Sequence, residues 1–83
     1  MAAALSDVHS RRLLWRCRRG MKELDILLER FARAHLPGAS AEQRHTFERL
    51  LELPDPLLAD YLLGHEQPAD AALAALVLRI GAI

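Results

Sequence analysis

Few residues in this chain are able to do chemistry. Cys17 is the single cysteine, and four histidines (His9, His35, His45 and His65) are spread along the sequence. One cysteine excludes a disulfide framework and any zinc site built on several thiolates. Its plainest role is that of a buried or half-buried thiol in a reducing compartment. No two histidines stand three or four residues apart, the spacing that sets two ligands on one helical face, so no metal is expected. No nucleophile–base pair or acid–base dyad is legible, so the chain is read as not an enzyme. What remains is a string rich in charge, Arg18-Arg19-Gly20-Met21-Lys22-Glu23-Leu24-Asp25, with Trp15 just ahead of it. Gly20 suits a sharp turn between two helices, or close approach by another backbone. Glu23 falls in the first turn of the helix that follows, where its charge suits the dipole, and within reach of Arg19. As a surface ion pair that contact is worth about 0–1 kcal/mol. The residue chemistry alone leaves open whether this is a helix start or a binding site.

The charge around the string is uneven. Lys and Arg total 11, as do Asp and Glu, so the formal net charge is zero. Residues 1–22, however, hold six basic residues against Asp7 alone, whereas residues 23–83 hold five arginines against ten carboxylates. On a helical wheel at about 100° per residue, Leu13, Leu14, Cys17 and Met21 share one arc, and Arg11, Arg12, Arg16, Arg18 and Arg19 lie opposite. Trp15 falls in the basic arc. It either packs against another helix with arginine stems beside it, or stands exposed until a partner covers it. Nucleic-acid binding is disfavoured by a pI near 6.9 and the lack of a legible motif. An interfacial membrane helix is disfavoured because the narrow apolar arc is needed for a core. A protein partner with an acidic surface fits best, since Trp and Arg dominate interface energetics.

The elements that must position these residues follow from length and composition. Eighty-three residues make one domain, too short for a two-lobed enzyme, with a helical core expected over about 6–82. Seventeen Leu, 14 Ala and 10 Arg, with few β-branched residues, give an all-α class. A first helix is expected over Ser6 to Arg18, capped by Ser6 or Asp7 and broken by Gly20. A second runs from Met21 to about His35, with Leu24, Leu27, Leu28 and Phe31 as its stripe, and stops at Leu36-Pro37-Gly38. Ser40-Ala41-Glu42-Gln43 is a capping box opening a third helix, whose stripe is Phe47, Leu50 and Leu51. Asp55 as N-cap and Pro56 at the first helical position open a fourth, with Leu57, Leu58, Tyr61 and Leu62 inward and Gly64 ending it. A fifth begins after Pro68, with Asp70 in its first turn and Leu73, Leu76, Val77 and Ile80 inward. Short loops between short helices imply a small compact bundle of about five short helices. No run of 18 apolar residues is present, and Met1 to Leu5 is too short for a secretory signal, so a soluble cytoplasmic protein is expected.

Trp15-Arg16-Cys17-Arg18-Arg19-Gly20-Met21-Lys22-Glu23-Leu24-Asp25 resembles the signature region of the SdhE family, the succinate dehydrogenase FAD assembly factors, whose hallmark is R-G-x-x-E. The resemblance continues through Phe47 to Glu52, Asp55-Pro56-Leu57-Leu58, Tyr61 to Gly64 and Pro68-Ala69-Asp70, and covers roughly residues 11–80. It implies a small helical protein that binds the apo flavoprotein subunit of succinate dehydrogenase, and of fumarate reductase, and promotes covalent attachment of FAD to it. It implies that Arg19, Gly20 and Glu23 form the partner-binding surface, flanked by Arg18, Trp15 and Asp25. FAD then belongs to the client, and no cofactor is expected to stay on this chain. A monomer is expected, with no nucleic-acid partner and no membrane insertion. Mitochondrial members carry an N-terminal extension, so its lack here points to a bacterial cytoplasmic protein. Lys22 stands where the family commonly has Arg, which keeps the charge. The competing reading is an antitoxin-like regulatory module of a toxin–antitoxin pair.

Overall fold

The computed structural model describes residues 8–81, with side chains from Arg11 onward. Among the described residues five α-helices follow one another: α1 (Val8–Arg16), α2 (Lys22–His35), α3 (Ala41–Leu51), α4 (Asp55–Leu62) and α5 (Ala71–Gly81). A single 3₁₀ turn, Leu36–Gly38, follows α2, because Pro37 cannot continue the α-helical ladder. No strand occurs among the described residues. The cap expected from Ser6 or Asp7, and the role of residues 1–10 generally, lie outside the side chains described.

The apolar stripes close over one core. Leu13 and Cys17 from the first segment, Leu24, Leu28 and Phe31 from α2, Phe47, Leu50 and Leu51 from α3, Leu58 from α4 and Ile80 from α5 are buried together. α5 packs on α2, α3 and α4, so the last helix closes the bundle. Phe31 stacks on Phe47 with ring centroids 5.7 Å apart, and the Arg79 guanidinium sits 5.2 Å from the Phe31 centroid. The expected stripe of α4 is narrower than its pattern: Leu58 and Leu62 are buried, while Leu57 and Tyr61 are half-buried. An eight-residue helix at the edge of a small bundle has one covered face. Cys17 donates to the Leu13 carbonyl at 3.4 Å, and burial pushes its thiol up to about 12. It is a neutral packing group at pH 7.

Local signals set the helix ends. The Ser40 hydroxyl accepts from the Gln43 N–H at 3.1 Å, and the Gln43 side chain accepts from the Ser40 N–H at 2.8 Å, the reciprocal box expected. Gly64 has φ +84°, with His65 N–H donating to the Asp60 carbonyl at 2.9 Å. This is the left-handed cap that only a residue without a Cβ adopts at little cost. Asp70 holds α5: its carboxylate accepts from the Leu73 N–H at 3.0 Å and from Arg49 at 2.8 Å.

The Arg49 side-chain hydrogen bond, followed by the Leu73 N–H, lowers the Asp70 carboxyl below its ordinary value. A carboxyl depressed in the folded state contributes stability that is present above the unfolded value of about 3.9 and is lost as pH falls through the folded one. Thermal unfolding of Asp70→Ala is therefore expected at a lower temperature than wild type at pH 7. The gap should narrow as the pH is taken below about 4. A gap independent of pH down to pH 2 would show that the carboxylate charge contributes nothing.

Candidate functional site

The string from Trp15 to Asp25 lies across the end of α1, a short connection, and the start of α2. α1 stops at Arg16, two residues earlier than its pattern suggests. Cys17 N–H reaches the Leu14 carbonyl at 3.2 Å and Arg18 N–H the Trp15 carbonyl at 3.1 Å, tighter i→i+3 bonds that finish the helix. The helical wheel therefore no longer applies beyond this point. Met21, placed on the buried arc by the wheel, is 37% exposed. Arg19, placed on the outer basic arc, turns inward.

All four of the Arg19 nitrogens are used inside the molecule. Its backbone N–H donates to Asp25 Oδ1 at 2.7 Å. Nε donates to Asp55 Oδ1 at 2.8 Å, Nη1 to the Leu51 carbonyl at 2.6 Å and Nη2 to the Leu53 carbonyl at 2.8 Å. The side chain is only 15% exposed. Leu51 and Leu53 sit at the C-terminal end of α3, where carbonyls lack helical partners and the dipole is negative, so a guanidinium is well matched there. The surface ion pair expected between Glu23 and Arg19 is corrected by this arrangement. The partner is Asp55, 36 residues away. Its carboxylate turns to the guanidinium and does not cap α4, which instead has Pro54 at the N-cap with no side-chain cap bond.

Asp25 reaches back from α2 to the connection, accepting from both the Arg19 and Gly20 N–H groups, at 2.7 and 3.3 Å. Gly20 has φ +83°, the left-handed region, and no atom lies within 4 Å of where a Cβ would stand. The turn is thus held from inside and open outside. Asp25 is half-buried, whereas Gly20 and Glu23 are exposed. Trp15 is 71% exposed, which resolves its two alternatives in favour of the surface. It lines a concavity of about 350 Å³ with Arg11, Arg12 and Arg16. Arg18 bridges to Glu29 at 3.5 Å and covers the Trp15 ring, its guanidinium carbon 5.5 Å from the centroid.

The six residues singled out in the sequence therefore divide. Trp15, Arg18, Gly20 and Glu23 are presented to solvent, while Arg19 and Asp25 hold the turn. The pairing of Asp55 with Arg19 is not legible in the sequence. The one local signal at Asp55, acid between two prolines, reads as a helix start. Nothing in the spacing links it to Arg19.

Among the described residues no group of His, Cys, Asp or Glu converges to hold a metal, and no helix is long and apolar enough to cross a membrane. Among the described residues the arrangement presents an internally hydrogen-bonded turn, an exposed acid and an exposed aromatic ring among arginines.

Comparison with known proteins supplies the family. The family model described as flavinator of succinate dehydrogenase matches residues 11–83. A Coxiella burnetii protein named FAD assembly factor SdhE is 44% identical over 71 residues, which is 86% of this chain and 87% of that protein. The protein of the same name from Methylococcus capsulatus is 46% identical over 72 residues, 87% of each chain. That from Legionella pneumophila is 47% identical over 57 residues, 69% of this chain and 72% of its own. This chain belongs to the SdhE family of FAD assembly factors.

Proposed function

We propose that this protein docks on the apo flavoprotein subunit of succinate dehydrogenase, and on that of fumarate reductase, and promotes covalent attachment of FAD without catalysing it. The observation that carries this reading is the family match across residues 11–83. The geometry supports it, because the matched string forms an exposed turn that is fixed from within. In this reading FAD belongs to the client, and this chain acts as a bacterial cytoplasmic monomer. A helper of this kind works by population shift. If it binds the conformer in which flavin and acceptor are aligned more tightly than the others, that conformer becomes the major one, and about 1.4 kcal/mol of differential binding moves the ratio tenfold. The arginines around Trp15 suit an acidic client surface, and the ring itself supplies the desolvated contact.

The test is co-expression with the apo flavoprotein, reading flavin that remains on the subunit after denaturation. Wild type is expected to raise that fraction. Trp15→Ala is expected to unfold at the wild-type temperature, since the ring is 71% exposed. It should nevertheless weaken client binding by about 2 kcal/mol, as loss of an interface anchor does. Unchanged flavinylation with and without the protein would overturn the reading.

A further inference from the structure

We propose that Asp55, at the junction of α3 and α4, is a positioning residue for client docking, acting through Arg19 to set where Gly20 and Glu23 stand. The inference rests on the docking function proposed above. Three observations carry it. The connection between α1 and α2 has Gly20 at φ +83°, and glycine by itself leaves such a turn loose. The connection is fixed instead by Arg19, whose backbone is tied to Asp25 and whose guanidinium is tied to the far junction. Of the three acceptors there, Leu51 and Leu53 offer neutral carbonyls, and Asp55 alone offers a charge.

Without the Asp55 carboxylate, a guanidinium that is 15% exposed loses its neutralising partner. A largely buried unpaired cation is costly, and the long side chain relieves that cost by swinging towards water. The Leu51 and Leu53 carbonyls then lose their donors, and the Gly20 turn loses its tether to the α3–α4 junction, keeping only its backbone bonds to Asp25. Glu23 stands exposed in the first turn of α2, directly after that connection. Asp55 itself need not touch the client.

The experiment measures affinity for the apo flavoprotein subunit of succinate dehydrogenase, together with the backbone amide resonances of Arg19 and Gly20 in the unbound protein. Asp55→Ala is expected to move both resonances and weaken affinity at least about tenfold, the effect of disordering an interface centre. Asp55→Asn keeps an acceptor for Nε and should fall between Asp55→Ala and wild type. Asp70→Ala, which removes another 2.8 Å arginine pair, controls for general loss of stability and should bind within about twofold of wild type. Affinity of Asp55→Ala within twofold of wild type, or equal weakening by Asp70→Ala, would overturn the positioning role. A wild-type protein that does not bind the subunit would overturn the docking function instead. The Gly20 resonance of Asp55→Ala would then still decide whether Asp55 sets the turn, and an unmoved resonance would refute it.

Discussion

Gly20→Asn is expected to fold and to fail its client. Asparagine tolerates positive φ better than other residues with a Cβ, and the space around Gly20 is open to at least 4 Å, so nothing inside the molecule is displaced. The backbone cost is about 1 kcal/mol or less, a few degrees in Tm for a chain of this size. The Gly20 and Asp25 hydrogen bond survives, because it uses the backbone N–H. The new side chain, however, projects from the middle of the exposed turn. If the client backbone lies against Gly20, the intrusion removes contacts at the interface centre, worth about 2 kcal/mol or more, roughly a thirtyfold loss of affinity. Gly20→Ala projects less and should lose less. The measurements are circular-dichroism melting, client affinity and covalent flavin on the co-expressed subunit. A folded Gly20→Asn with wild-type flavinylation would remove the turn from the docking surface.

Arg19→Ala is expected to fail for another reason, by destabilising the bundle. It removes the ion pair to Asp55 and the donors to two carbonyls at the end of α3. Hydrogen bonds to charged groups are worth about 1.5–3 kcal/mol when buried. Asp55 is 43% exposed and is rehydrated in the variant, so the sum is discounted to about 2–4 kcal/mol. Against the roughly 4–12 kcal/mol available to 83 residues, that lowers Tm by roughly 8–30 °C. Arg19→Lys should recover little, since an ammonium lacks the planar fork that meets three acceptors at once. Thermal unfolding checks this directly. A Tm within about 3 °C of wild type would show that the three bonds contribute nothing net. The contrast matters for function. The expected loss at Gly20 is one of client affinity in a stable protein, and the expected loss at Arg19 is one of the fold that presents the turn.

The helical architecture was legible because its signals are local. Helix-forming composition, stripes at three- and four-residue spacing, the Ser40 box and the Gly64 cap each act within one or two turns of chain. One boundary failed where a distant group won. Asp55 has the sequence of an N-cap, but a charge-assisted bond to Arg19 takes its carboxylate, and Pro54 becomes the cap position. The end of α1 differs for a local reason: the basic pattern runs on to Arg19, while the helix closes at Arg16 with i→i+3 bonds from Cys17 and Arg18.

By itself, the sequence determined the all-α class, most of the core, the turn at Gly20 and the family. It also showed that charge is segregated, with the basic excess ahead of Glu23. Only the tertiary structure decided which basic residues face the solvent. Trp15 is uncovered because no other helix among the described residues packs over that side of α1, and Arg19 is covered because the end of α3 leaves carbonyls that need a donor. Periodicity describes one helix at a time. Where a side chain goes after its helix has ended depends on which unpaired groups the folded chain brings within its reach.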